Sequence, residues 1–321
     1  MSGRLEKTIE RIRQRIADKE FYEAHQALKT VAARYIKAKQ YDQAIELLYH
    51  GAQELLRAGE GGSGGDLSNY LIETYRTANV PVEGQSKARI VQLFKLFKEG
   101  EPRRKEFISE ISQWTASAGQ FGDTELNHII GTQFAREDSA YEAEKYLLVG
   151  TKDSVPVLVQ LLFDWFSEDE QAGTAPFYLS RAILGYLALG NIRDARTASD
   201  LFISKLVASD RIPGSTLVTS SVDGDAVTVF AQSPLLDFLQ LLVRACQRKN
   251  PDMFKRLRFR YKTQLSDAGA LDEALDKIGE IWFGIRVQNQ GNLLQDLMGS
   301  LFSGGSRGGN NPPVPQIADL E

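Results

Sequence analysis

One phrase occurs twice near the start of this chain, nineteen residues apart. Tyr22-Glu23-Ala24-His25-Gln26 opens one apolar periodic run, and Tyr41-Asp42-Gln43-Ala44-Ile45 opens the next. Each time an aromatic follows a polar break, and a small residue comes two or three places later. Stacked antiparallel helices close in this way: the aromatic wedges the turn, and the small residue lets the backbones approach. Weaker echoes stand at Tyr141-Glu142-Ala143-Glu144 and Ile192-Arg193-Asp194-Ala195. Few folds accommodate such a repeat. It predicts an all-α, right-handed, TPR-like α-solenoid, an architecture that usually binds proteins.

Apolar spacing extends the pattern. Leu5, Ile9, Ile12 and Ile16 form one helical stripe. Ala24, Leu28, Val31, Tyr35 and Ala38 form a second, and Tyr41, Ala44, Leu48, Ala52 and Leu55 a third. The connections are only a few residues long, so neighbours run antiparallel. Gly59 to Gly65 reads as a flexible loop, with Asp66 as the N-cap of a helix carrying Leu67, Tyr70, Leu71 and Tyr75. Further helices are expected at 84–99, 102–118, 123–137, 139–149, 152–167, 173–189 and 191–209. Three more, at 233–248, 251–266 and 270–283, bring the total to about fourteen.

Residues 210–232 break the rhythm. Pro213-Gly214 is a turn, and two β-branched runs flank Asp223-Gly224. That pairing predicts a β-hairpin near 216–230, with Val218 opposite Val229 and Leu217 opposite Phe230. An isolated hairpin is marginal in water, so it must lie on the helices. Beyond Gly284 the periodicity fades. An apolar segment at 293–302 and a tail rich in Gly, Ser, Asn and Pro follow, and the tail is expected to be disordered. The organisation expected is therefore 1–150 as one solenoid half, 151–285 as a second half bearing the hairpin, and 286–321 as a tail.

Little in the chain points to chemistry. The glycine-rich stretch before Asp66 lacks the Lys-Ser/Thr of a phosphate loop and follows a helix. The three histidines share no spacing, and no metal or cofactor is expected. Cys246 sits among leucines and reads as a core residue, which fits a reducing compartment. The N-terminal stretch is charged and has no apolar h-region, and nowhere do eighteen apolar residues run together. A soluble cytosolic protein is expected, without direct membrane insertion. A net charge of −4 shows no global basic excess to suggest nucleic acid or anionic lipid.

Binding faces carry more signal. The first fifty residues hold ten Lys/Arg against seven Asp/Glu, a local excess of +3. On the first helix, Arg4, Thr8, Arg11 and Arg15 lie opposite the isoleucine stripe. On the second, Tyr22, Gln26, Lys29, Ala33 and Lys37 lie opposite the core, with His25 at the edge. That excess is thin for a phosphate backbone, and the face reads either as a protein contact or as an ordinary solvated surface with Tyr22 a packed turn aromatic. In the C-terminal half, Leu217, Val218, Val227, Val229, Phe230, Leu235, Leu236, Phe238 and Leu239 could supply a drier interface, or pin the hairpin to its own helices.

Several of these stretches are recognisable. Phe21 through Gln26, Arg34-Tyr35, Tyr41 through Ala52 and Ser63-Gly64-Gly65-Asp66-Leu67 resemble the Golgi-to-ER traffic protein 4 family. So do Asp276 through Ile285 and Leu293-Leu294 with Leu297-Met298. The resemblance implies a non-enzymatic adaptor in the guided-entry pathway for tail-anchored membrane proteins. Its N-terminal helices would bind the cytosolic targeting ATPase through Arg11, Arg15, Tyr22, His25, Lys29 and Lys37, with Asp66 at a position tied to hydrolysis. Its C-terminal half would hold the N-terminal segment of a ubiquitin-like protein, which recruits a substrate-loaded tetratricopeptide co-chaperone. Two other readings stand beside it. One is a TPR-like scaffold of another complex, such as a proteasome-lid or signalosome subunit, although no winged-helix strand pattern closes the chain. The other is an unrecognised hydrolase.

Overall fold

The chain is seen in a computed structural model that describes residues 3–209, 211–212, 215–219, 226–268 and 271–285. Leu5, Ile9, Ile12 and Ile16 are buried along one side of α1 (Gly3–Ala17), as their spacing predicts. The succeeding helices are α2 (Phe21–Lys37), α3 (Tyr41–Arg57), α4 (Gly61–Thr77), α5 (Gly84–Phe94) and α6 (Pro102–Thr115). Then come α7 (Thr124–Arg136), α8 (Ala140–Leu147), α9 (Ser154–Glu168), α10 (Ala175–Ala188) and α11 (Ile192–Ser209). A hairpin of β1 (Ser215–Thr219) and β2 (Ala226–Phe230) separates them from α12 (Pro234–Gln247), α13 (Pro251–Arg260), α14 (Lys262–Ala268) and α15 (Leu271–Phe283). The described residues thus form fifteen α-helices and one hairpin in an α-solenoid. The helix predicted at 251–266 is two helices, divided at Tyr261.

The turns explain the repeat. Lys19, Lys39, Gly59 and Asn79 have φ of 63°, 57°, 86° and 51°, and they fall at intervals of twenty residues. At each, two backbone bonds close the helix. Lys19 N–H reaches Ile16 O and Glu20 N–H reaches Arg15 O, at 3.0 and 2.9 Å, and the other three follow the same pattern. This is the Schellman closure, which needs a left-handed residue. It recurs at Asp138, Gly190 and Lys249.

The true frame therefore differs by one residue from the phrase in the sequence. Counted from the left-handed residue, Tyr41 corresponds to Phe21, and both are half-buried against the core. Tyr22 corresponds to Asp42, which explains its 70% exposure. The small residue stays in register: Ala24, Ala44, Gly64, Ala143 and Ala195 are all buried at the same offset. In α2 the buried stripe is Ala24, Leu28 and Ala32, while Ala38 lies past the helix end and is exposed.

The glycine-rich stretch is no loop. Gly59 ends α3, and Gly61 already begins α4. A Cβ on Gly64 would lie 2.7 Å from Leu56 Cγ, and one on Gly65 would lie 2.4 Å from Arg103 Cβ. Helix α4 is thus pressed against α3 on one side and the start of α6 on the other, closer than any side chain allows. Asp66 consequently stands inside α4, not at its N-cap.

The hairpin also departs from expectation. Thr216 pairs with Val229, Leu217 with Thr228 and Val218 with Val227. The register is two residues away from the one predicted, and residues 220–225, which join the strands, lie outside the described residues. Asp223-Gly224, Pro213-Gly214, the 293–302 segment and the tail from 286 lie outside the described residues.

Candidate functional site

Side chains on α1, α2 and α4 build the first face. Arg11 and Lys37 are exposed, as is Tyr22, while Arg15 is partly exposed and passes 3.9 Å from Glu20. The side chain of Arg4 is not among those described. His25 turns inward from this face. Its Nε2 lies 2.8 Å from Asp66 Oδ2, and Lys29 Nζ donates to the same oxygen at 2.9 Å. An ionised carboxylate only accepts, so His25 carries its proton on Nε2. Burial would raise the Asp66 pKa, but the bonds from Lys29 and His25 outweigh it and hold the carboxyl below its ordinary 3.8.

Asp66 thereby ties α2 to α4 across the intervening α3. Beside it runs an open groove of about 510 Å³ between α2, α4 and α6, whose walls include Lys29, Asp66, Tyr70, Glu73 and Arg76. Arg76 closes its far end by donating to Glu110 at 2.6 Å and Gln113 at 2.7 Å. The structure therefore brings His25, Lys29 and Asp66 into one cluster, and leaves Tyr22, Arg11, Arg15 and Lys37 outside it on the surface of α1 and α2. Sequence reasoning missed Arg76 and the groove, because their partners stand more than thirty residues away.

The second face centres on the hairpin. Here α12 supplies what a third strand would. Gln240 accepts from Thr228 N–H at 3.0 Å and donates to Thr228 O at 2.8 Å. Asp237 accepts from Phe230 N–H at 2.8 Å, and Arg244 donates to Ala226 O at 3.1 Å. Residues 237, 240 and 244 share one face of a helix, and the strand presents alternate residues to them. Burial pushes the Asp237 carboxyl upward, partly offset by the Phe230 amide. These polar clamps were also missed. Their signal in the sequence is faint: three polar residues at helical spacing in an otherwise apolar run.

Phe230, Leu236, Phe238 and Leu239 are buried in the chain's own core. They pin the hairpin and α12 and are not free to face a partner. Val227, Val229 and Leu235 are half-buried at the surface. The side chains of Leu217 and Val218 are outside the described set.

Groups that could do chemistry are otherwise engaged. His128 Nδ1 meets Ser154 Oγ at 2.9 Å, but Ser154 is fully buried and also accepts from Thr151 N–H. His50 lies 3.5 Å from Glu46. Burial pushes the Cys246 thiol up to about 12, so it is no nucleophile at neutral pH. Among the described residues, no group of three His, Cys, Asp or Glu is placed to hold a metal, and no helix is long and apolar enough to cross a membrane.

Comparison with known proteins gives one consistent answer. A family model described as Golgi to ER traffic protein 4 matches residues 38–302. The protein of that name from Aspergillus fumigatus is 40% identical over 331 residues, covering 98% of this chain and 95% of that one. The Schizosaccharomyces pombe protein of the same name is 34% identical over 284 residues, covering 88% and 91% respectively. The crystal structure of C. therm. Get4 superposes with a TM-score of 0.83 at 38% identity, covering 98% of this chain and 100% of that one.

Proposed function

The chain belongs to the Golgi to ER traffic protein 4 family, and from that premise we propose that it is a non-enzymatic adaptor bridging two partners. Membership makes it a component of the guided-entry pathway, with a helical adaptor-type fold. In the finer reading, residues 1–150 receive the cytosolic targeting ATPase. Residues 151–285 hold the N-terminal segment of a ubiquitin-like protein, which brings the tetratricopeptide co-chaperone, and the assembly works in the cytosol.

The observation that carries the first half is the face of α1 and α2. Arg11 and Arg15 of α1 and, on α2, Tyr22 near its start and Lys37 at its end are solvent-facing, and α2 also carries the His25–Lys29 side of the Asp66 cluster. A transient adaptor needs rapid encounter and modest affinity. Rim charges steer the approach and a central aromatic anchors it. The polar cluster adds a group, Asp66, whose two donors a partner could exchange for its own. For the second half, the hairpin offers a clamped platform with Val227, Val229 and Leu235 half-buried at its surface.

Arg11→Glu with Arg15→Glu is expected to weaken capture of the ATPase by about tenfold at low salt, with an unchanged circular dichroism spectrum. Undiminished capture would remove this face from the interface. A cytosolic pull-down that returned neither an ATPase nor a ubiquitin-like protein would favour a scaffold of another complex.

A further inference from the structure

We propose that the outer face of α13 docks peripherally on an anionic membrane surface, with Phe259 as the side chain that enters the headgroup layer. Residues 255–262 read Lys255-Arg256-Leu257-Arg258-Phe259-Arg260-Tyr261-Lys262. Helical geometry sorts this run. Phe254 and Leu257 are buried and Tyr261 is half-buried, so one side of α13 meets the core. Arg258, beside that face, is neutralised by Asp272 and Asp276 of α15, at 3.2 and 2.5 Å.

The remaining cations have no such partner. Lys255, Arg256, Arg260 and Lys262 are exposed, and among the described residues no carboxylate lies within ion-pair distance of them. Lys255 and Arg256 precede Phe259 by four and three residues and so flank it on the surface of α13, while Arg260 ends that helix and Lys262 opens α14. Asp252, in the first turn, is the acid that shares this face. Phe259 itself is 83% exposed, more than any other large apolar side chain described.

The core side of α13 is complete without that ring, so packing does not account for it. Cations flanking one exposed phenyl are what an anionic lipid surface selects. The charges attract headgroups, and the ring then leaves water for the acyl boundary. The ring stands on the crest of a helix, which suits a flat, deformable surface. An acidic peptide would instead be held in a groove. Four cations and one ring make a weak, salt-sensitive attachment, distinct from insertion. The chain-wide charge of −4 conceals it, because attraction is felt over about one Debye length and not averaged over the molecule.

Flotation of the full chain with phosphatidylcholine vesicles, with and without phosphatidylserine, tests this. Binding is expected with phosphatidylserine alone and is expected to fall in high salt. Lys255→Glu with Arg256→Glu should lower partitioning at least about tenfold, and Phe259→Ser about fivefold. Both should keep the parent circular dichroism spectrum, since the three positions are exposed. Equal binding to neutral vesicles, or unchanged partitioning of the charge-reversed variant, overturns the proposal. Absence of vesicle binding by the parent chain overturns it too. Loss of a cytosolic protein from the same variants would then assign the face to that protein.

Discussion

The N-terminal face and the hairpin face solve the same problem with opposite materials. In α1–α4 a strict twenty-residue turn repeat fixes the backbone, and the proposed contact side chains are left on an otherwise finished surface. At the hairpin a two-stranded ribbon has an edge left to pair, and side chains of α12 finish it by standing in for a strand. The first arrangement can lose a surface residue and keep its shape. The second cannot, because its polar clamps are structure and surface at once. A face for transient contact belongs on the first kind of scaffold, and a face for a retained partner suits the second.

Removal of 216–230 breaks this contrast most severely. The ubiquitin-like partner is expected to be lost entirely from co-purification while ATPase capture persists, and retention of the partner would refute the assignment. Next in size is Gly64→Val, which forces a side chain into Leu56. Overpacking of this kind costs about 3 kcal/mol, readable as a lowered midpoint in urea. Gln240→Ala strands the Thr228 amide and carbonyl and should cost about 2 kcal/mol. Hydrogen exchange should show faster exchange at Thr228 in that variant, with none at α2–α4.

The smallest effect is expected at Asp66. Asp66→Asn should cost about 1 kcal/mol near neutral pH, since the carboxylate is partly solvent-exposed. The pH dependence follows from its lowered pKa. Its contribution is fully present above the unfolded value of 3.8 and disappears as pH falls through the lower folded value. Parent and variant should therefore converge in stability below that range. A constant gap between them in acid would show that the cluster is not what Asp66 contributes.

Helix positions were legible in the sequence because each buries one apolar stripe, and a stripe is a local signal. Leu5, Ile9, Ile12 and Ile16 suffice to place α1 without knowing what covers them. Two kinds of feature were not local. Gly64 and Gly65 look like a loop until α3 and α6 are seen pressing on them from both sides. The hairpin register lies two residues away from the one the Asp-Gly signal predicts, because pairing is set across strands and not by one local dipeptide. The site was legible in part. Tyr22, Arg11 and Lys37 were readable as opposite a stripe, while the bonds of Asp66 to His25 and Lys29 join residues about forty positions apart. Residues 255–262 escaped because their charge is diluted in a net acidic chain.

A last consequence concerns how this rod comes apart. Linear helical arrays fray from their ends, because a terminal unit touches only one neighbour. Here the Trp282 ring N–H donates to Leu187 O at 2.9 Å, ninety-five residues earlier, and Phe283 stacks on Phe254. The last described helix, α15, is thus fastened to α10 as well as to the units beside it. Peeling α15 requires opening a contact in the body of the C-terminal half, so unfolding there should be one cooperative event. Amide protection in α15 should match that of α10 and not decline toward the terminus.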